Sequence, residues 1–600
     1  MTLAGIAHLA RYAFAGAIVL AAVLLLHKSL RGMRQKMRWA LHPVHGFFLI
    51  ESDVLDRTQA RAQKLYHTTI IGSSRIADIR RKERGVRKNH AMIYLFNGVW
   101  YLRPLESGAD IWLNGKPVDK DTKLTHSDSI GLGTARFDFI DDRLFGSPIL
   151  AKPASSEESP FAILLTLALL FSGGVLLFFL LRGPYAPLRP ALMISFGGFV
   201  FLSLLWRLIL PHVIPGFDRI LYQTMHLLAV IGLILQARLT FVGRVLPEVT
   251  DKVAYNARID QLARSFYVQA GALLLGLLIL PLVIAIARRG RLLEKLAYAG
   301  IVLTPLFYAA TYVLGGGLET HGARLWIHLP FGVTLQLTEF AKILFVLVLA
   351  YVFKNRPTAK QQWLFALWAL FNFGLMFMLP DLGSIMILLP VTLIVFAVMT
   401  SEFLKTFLLL VGGSALALVA YRLFPYVQRR IFGWMSLWDE INDQNRQIVY
   451  GLQAVARGGL FGVGVGNGAP GGIPLAASDM VFSVLAEEFG MLVGLSVVVL
   501  FIVIWLRGAS SAVIARDGFS SSFLFGAASI FFMEAIIVIG GTTGLIPLTG
   551  VTLPFIAQGG SSILAKVIMM GLLLGVQTRT EADAYEKVQV PEPQPLGGIT

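Results

Sequence analysis

The run FAILLTLALLFSGGVLLFFLL, residues 161–181, carries no charge from end to end. At about 1.5 Å of rise per helical residue it spans the roughly 30 Å hydrocarbon core of a bilayer. Its surroundings agree: of 600 residues 56% are hydrophobic and 15% charged, too apolar a balance for a soluble protein of this length. The chain reads as a membrane protein. It has no cysteine, which excludes disulfides, thiolate metal sites and cysteine nucleophiles. The net charge of +16 needs no nucleic acid partner, because basic loops held at the cytoplasmic face account for it.

Downstream of residue 181, apolar segments recur at 191–211, 220–237, 266–287, 296–315, 333–353, 362–379, 384–400, 406–421, 480–506, 522–545 and 560–577. Upstream, Tyr12–Leu26 is followed by HKSLRGMRQKMR, a basic cluster without an acid. Secretory signals place their positive charge before the apolar run, so this segment reads as a retained anchor with its C-terminal end in the cytoplasm. The expected total is about thirteen transmembrane helices. Alternate threading puts ARRGRLLEK (287–295), KNRPTAK (354–360) and RGASSAVIARDG (507–518) inside, and 422–479 outside together with 238–265.

Residues 40–150 differ in kind. Short alternating runs such as MIYLFNGVWYL are interrupted by NG, SGAD and NGKP, the pattern of a small all-β domain. Sixteen lysines and arginines against five acids between residues 28 and 103 favour a cytoplasmic position for it. Residues 1–39 form the anchor and basic segment, and 151–219 a linker with two helices. Residues 220–578 form the main bundle and 579–600 a polar cytoplasmic tail read as disordered.

Three places in the bundle carry chemistry. Glu339 and Lys342, three apart on one helical face, either lock helices as an ion pair or face a substrate. The segment RRIFGWMSLWDEINDQNRQIVYGLQAVARGGLFGVGVGNGAPGGIPLAASD combines arginines and aromatics with glycines whose backbone can approach a diphosphate. Asp479, after Ser478 and before the run from Met480, either caps a helix or serves as a partly desolvated general base.

These blocks together resemble the SEDS family of RodA- and FtsW-like cell-wall proteins over about residues 220–578, with ten of the expected spans. GARLWIHL with QLTEFAK is similar to the family's paired motif (Gly322, Arg324, Trp326, Gln336, Glu339, Lys342), and PDLGS around Asp381 to a second. RQIVYGLQAVARGGLFGVGVGNG, SDMVFSVLAEEFGMLVG and TTGLIPLTGVTLPFIAQGGSSILA resemble the remaining three. The resemblance implies a peptidoglycan glycosyltransferase that polymerises lipid II at the outer face of the cytoplasmic membrane, with a class B penicillin-binding protein as partner. It implies Asp479 as catalytic base, with Arg324, Glu339, Lys342, Asp381, Arg429, Arg430, Gln447 and Ser478 at the substrate. Trp326, Glu487, Glu488, Gly559, Gly560 and Ser561 support them. A divalent cation, Mg²⁺ or Mn²⁺, would share the charge on the leaving diphosphate. Leu337, Thr338, Leu475, Ala477 and Gln558 depart from the family's usual residues. A lipid-linked precursor transporter and a non-catalytic scaffold are the competing readings.

TIIGSSRIAD, RKNHA, WLNGKPV and HSDSIGLG in the β region resemble a forkhead-associated (FHA) domain. Of its phosphothreonine contacts, three are replaced by Ser73, Arg87 and Ala109, and His90 remains with the turn residues Asn114 and Gly115. The resemblance implies a docking module for a cytoplasmic protein, with ordinary phosphothreonine recognition lost or much weakened.

Overall fold

The computed structural model describes residues 3–41, 47–51, 62–66, 68–74, 77–81, 83–96, 99–106, 108, 110–141, 160–180, 189–239, 252–316, 325–329, 334–355, 357–515 and 517–586. Two compact units emerge, residues 1–33 with 156–580, and 34–155 with 581–600.

The first unit is helical. Its helices are α1 (Leu3–Leu41), α2 (Pro160–Leu180), α3 (Arg189–Val213), α4 (Arg219–Leu239), α5 (Lys252–Arg288) and α6 (Gly290–Leu314). There follow α7 (Leu337–Val352), α8 (Ala359–Met378), α9 (Leu382–Thr400), α10 (Phe403–Leu423), α11 (Pro425–Met435) and α12 (Arg446–Gly458). The last four are α13 (Val481–Phe489), α14 (Met491–Ile514), α15 (Gly518–Thr542) and α16 (Gly560–Glu586). Among the described residues ten helices are long and apolar enough to cross a membrane. The fold is that of a polytopic α-helical membrane protein. Burial sorts the helices: α4 is 94% buried over its apolar window and forms the centre, whereas α10 is 6% buried, as a helix bathed in lipid would be. Small residues let the central helices close up. A Cβ on Gly232 of α4 would lie 2.2 Å from the Phe555 carbonyl, and one on Gly508 of α14 would lie 2.3 Å from Ala528 of α15.

Several sequence boundaries are corrected. The apolar segment 480–506 is two helices, broken at Gly490, whose φ is +90°. A side chain there would meet the Leu460 carbonyl at 2.3 Å, so the break exists to admit the neighbouring loop. The segment starting at 333 begins as a hairpin, β12 (Ile327–His328) against β13 (Thr334–Leu335), and turns helical only at Leu337. Residues 507–514, read as loop, complete α14. Arg507 is buried in it on Asp218, Nη2 to Oδ2 2.5 Å, a pairing that sequence distance hides. Residues 252–265, read as part of an external segment, belong to α5, and 579–586, read as disordered tail, continue α16.

The second unit is an all-β sandwich. Its strands are β1 (Phe47–Glu51), β2 (Ala62–Lys64), β3 (Thr68–Gly72), β4 (Ile79–Arg80), β5 (Ala91–Phe96) and β6 (Val99–Pro104). The rest are β7 (Ile111–Leu113), β8 (Lys116–Pro117), β9 (Thr122–Leu124), β10 (Asp128–Leu132) and β11 (Ala135–Asp141). They form one sheet of order β2-β1-β11-β10-β7-β8 and another of order β4-β3-β5-β6-β9. Alternation sends Phe47, Leu49, Ile130, Phe137 and Phe139 inward from the first sheet and Ile71, Ile93, Trp100 and Leu102 from the second.

Candidate active site

Asp479 stands on a turn immediately before α13, half buried. The helix has Met480 at its N-cap and no side-chain cap, so Asp479 is not spent on capping. The turn is tightly held. Leu475 adopts φ +52°, and its carbonyl accepts from Ser478 N (3.1 Å) and Met480 N (3.2 Å). Ala477 O accepts from Gln558 N (2.8 Å) and from Gln236 Nε2 (2.9 Å), the latter reaching out of buried α4. Sequence reading passed over Gln236, although an amide deep inside an apolar run is its own signal.

On the far side of Asp479 lies the segment between α15 and α16. A Cβ on Gly550 would sit 3.5 Å from Asp479 Oδ2 and 3.9 Å from Arg430 Nη2. Glycine thus leaves an opening flanked by a carboxylate and a guanidinium, at a φ of +76° that disfavours any other residue. Arg430 is aimed there by α11, which docks through Arg430 Nη1 to Leu548 O (3.3 Å) and Trp434 Nε1 to Gly544 O (2.8 Å). Burial lowers the Arg430 pKa, while the charges of Asp479 and Asp381 act to raise it. Arg429, next in sequence, is exposed. Asp381 caps α9, Oδ1 accepting from Ser384 N (3.1 Å) and Oδ2 from Ser384 Oγ (2.6 Å). On α12, Gln447 keeps a buried Nε2 with no hydrogen-bond partner.

The glycine-rich loop before Asp479 closes onto the break at Gly490. Val463 N and Gly464 N donate to the carbonyls of Glu487 (2.9 Å) and Glu488 (3.1 Å), while Met491 N donates to Gly459 O (2.9 Å). Backbone groups freed where the helix breaks are therefore satisfied. The two side chains grip the same loop. Glu487 pairs with Arg457 (3.0 Å) and accepts from Ala469 N (3.1 Å); Glu488 pairs with Arg238 of α4 (3.0 Å) and accepts from Gly466 N (3.3 Å). A further hold comes from α1. Arg11 Nη2 donates to Gly462 O (2.7 Å) and Phe461 O (3.2 Å), and Phe14 packs on Phe489 at 5.9 Å. Nothing in the sequence marks Arg11 for this role, since some 450 residues separate it from its acceptors.

Glu339 and Lys342 lie in a different cluster. Lys342 Nζ donates to Glu339 Oε1 (2.7 Å) and Glu534 Oε1 (3.0 Å), and Lys566 Nζ donates to Glu339 Oε2 (2.9 Å) and Glu534 Oε1 (2.5 Å). Two acids and two bases from α7, α15 and α16 form a neutral ring, each at most 6% exposed. This arrangement ties three helices together and leaves little of either residue to meet a substrate. Glu534 and Lys566 were not singled out from sequence. Ser561 Oγ accepts from Gln336 N (3.2 Å), and Gly560 packs where a Cβ would be 2.9 Å from Val268. Trp326 is about one-third exposed and bridges Gly316, Gly559 precedes α16, and Arg324 lies outside the described residues.

Among the described residues no three acidic or imidazole groups converge as a metal site. Arg430 supplies a positive charge beside Asp479.

In the β unit, His90 is buried, with Nδ1 accepting from Arg87 N (3.0 Å) and Nε2 against Asp110 O (3.0 Å). Asn114, at φ +51°, bonds Asp128 Oδ1 (2.7 Å) and Ser129 N (2.8 Å). Both are structural. Arg87 Nη2 donates to Gly108 O (2.7 Å), Ser73 N donates to Arg87 O (2.8 Å), and Ala109 lies outside the described residues.

Both units of the chain are similar to known proteins. Residues 69–133 match the FHA domain model. RodA of Mycobacterium tuberculosis, named a peptidoglycan glycosyltransferase, is 30% identical over 397 residues, covering 63% of this chain and 81% of that protein. The stage V sporulation protein E of Bacillus subtilis is 31% identical over 289 residues, 46% and 78% of the two chains. A solved chain from a study of polymerization and crosslinking by a peptidoglycan synthase complex aligns at 27% identity and a TM-score of 0.48, covering 60% of this chain and 98% of that one. Residues 222–582 match the FtsW/RodA/SpoVE model, described as a cell cycle protein, and the chain belongs to that family.

Proposed function

We propose that this protein is a peptidoglycan glycosyltransferase that polymerises lipid II into glycan strands at the outer face of the bacterial cytoplasmic membrane. The observation that carries the reading is that Asp479 Oδ2 and Arg430 Nη2 both lie within 4 Å of the Cβ position of Gly550. Glycan elongation requires a sugar hydroxyl to attack an anomeric carbon as undecaprenyl diphosphate departs. Asp479 takes the hydroxyl proton, and Arg430 offsets charge gathering on the diphosphate. Gln447, with its free buried donor, and Ser478 beside the base are placed to contact the sugars. Glu487, Glu488 and Gln236 keep the turn and its loop in register.

The partner is a class B penicillin-binding protein, which crosslinks the strands. The β unit sits on the cytoplasmic side, where the basic segments around it belong, and docks a protein through a surface that has exchanged phosphothreonine contacts for Ser73 and Arg87. A transporter reading rested on Glu339 and Lys342 as a path for charge. Their closure into a neutral ring weighs against it.

The test is polymerisation of labelled lipid II by the purified wild type and by Asp479→Ala, with and without a cognate class B penicillin-binding protein. Strands from the wild type that vanish in the variant support the assignment. Equal product from both removes Asp479 from the mechanism, and bilayer crossing of lipid II without polymer would support the transporter.

A further inference from the structure

Helix α11 has two unlike faces. Val427, Arg430 and Trp434 recur at helical spacing on the face that docks, and the backbone there packs so closely that a Cβ on Gly433 would lie 2.5 Å from the Gln444 carbonyl. On the other face Gln428, Phe432 and Met435 stand at i, i+4 and i+7, and the two apolar members are 57% and 72% exposed. Trp438, just beyond the helix, is 88% exposed. This exposure is not that of a frayed end. Asn445, itself buried, donates from Nδ2 to Ser436 O (2.8 Å) and Glu440 O (3.1 Å), which pins the turn that carries Trp438. Single apolar side chains on a surface need no explanation, but a group of three on a firmly held element marks a contact.

What the face meets follows from its neighbour. α10 is the least buried of the ten apolar helices, and Leu404, Phe407 and Leu418 along it are all more than half exposed, as lipid-facing side chains are. Phe424 both ends α10 and begins α11. Gln428 Nε2 donates to the carbonyls of Tyr421 (2.9 Å) and Arg422 (3.3 Å), which the last turn of α10 leaves without helical partners. Gln428 shares its face with Phe432 and Met435, so these bonds turn the apolar face toward the place where a lipid-facing helix leaves the hydrocarbon. Tryptophan beside such a face is the residue that membrane interfaces favour.

We propose that α11 is an interfacial helix, seated by Phe432, Met435 and Trp438 in the headgroup–acyl boundary of the leaflet on the Asp479 side, and that this seat sets the depth of Arg430. The second half rests on the function proposed above. A polyprenyl diphosphate holds its phosphates at the same boundary because its tail lies in the hydrocarbon, so a helix anchored there presents Arg430 to them at a fixed depth.

The chain has no cysteine, so Met435→Cys, Trp438→Cys and, as a polar control, Asp443→Cys each create one labelling site. Each full-length variant is labelled with a bimane fluorophore and placed in nanodiscs of phosphatidylcholine with or without bromine on the acyl chains, with aqueous iodide as the opposing quencher. Labels at 435 and 438 should lose most of their emission to brominated lipid and little to iodide. The label at 443, where the side chain is 84% exposed, should do the reverse. Iodide quenching at 435 and 438 without quenching by brominated lipid overturns the proposal, and if a class B penicillin-binding protein then shields both labels the face is a protein interface. This readout needs no activity, so it decides the lipid seat whether or not lipid II is polymerised. The depth of Arg430 is tested by Phe432→Ser/Met435→Ser, which should raise the KM for lipid II in nanodiscs with kcat nearly intact, and an unchanged KM overturns that half.

Discussion

The bundle holds two clusters of charge, and they differ in closure. In the ring of Glu339, Lys342, Glu534 and Lys566, every side chain is nearly inaccessible and every charge meets an opposite one. Around Asp479 the carboxylate is half buried, Arg430 lies close by beside Gly550, and Gln236 bonds the backbone of the same turn. Charges at membrane depth are costly in both places. The ring meets that cost by internal neutralisation and so serves stability, whereas the Asp479 carboxylate is only partly buried, as its proposed role as base requires. Carboxylates inside apolar sequence acquire different roles according to who stands opposite them.

The most disruptive test of this contrast is Asp479→Asn, which keeps shape and removes the base. Polymerisation of lipid II should fall by about 10²–10⁴-fold, with thermal unfolding in detergent unchanged. Glu534→Gln should do the opposite. It leaves a buried ammonium underpaired, so stability should drop by about 3–5 kcal/mol, seen as a lower unfolding midpoint, with residual activity scaling with folded protein. Loss of activity without loss of stability would break the distinction.

Smaller effects sharpen it. Arg430→Ala should lower the polymerisation rate by about 10²-fold, as loss of a donor to developing charge does. Arg429→Ala, exposed and one residue away, should leave the rate nearly intact. Arg11→Ala frees the loop at Gly462 and should reduce the rate about tenfold through misplacement, with Arg11→Lys recovering part of it. The β unit should respond least. There the Arg103 hydrogen bond holds the Asp121 carboxyl below its ordinary pKa, and burial lifts Tyr94 to about 12. The Asp121 contribution is thus present above its ordinary pKa and lost as pH falls through the lowered one. The Tyr94 contribution is fully present below pH 10 and is lost as pH rises through the raised value of about 12. Because Arg103 and Asp121 are both over a third exposed, Asp121→Asn should cost only about 0.5 kcal/mol, read by hydrogen exchange of the β strands in the full chain.

Much of this was legible in the residues. Uncharged runs such as 161–181 can be stable only in lipid or a core, and alternation in MIYLFNGVWYL allows one face to be buried, so fold class follows from local pattern. Motif spacing located Asp479 and its flanking glycines because those residues are near neighbours in the chain. The break at Gly490 was hidden by continuous hydrophobicity, which helices on either side of a break share.

What the sequence by itself determined, then, is the membrane class and the β insertion, both consequences of composition and short-range spacing, while Asp479 was singled out by its resemblance to a family motif. Only the tertiary structure decided that Glu339 and Lys342 close a ring with Glu534 and Lys566, that Arg430 lies beside Asp479 at Gly550, and that Arg11 and Gln236 hold the glycine-rich loop and the Asp479 turn. Each of these is a pairing across one hundred residues or more, or a choice of helix face set by docking. Electrostatic role depends on the partner's distance and on exclusion of water, and neither is written in the order of the residues.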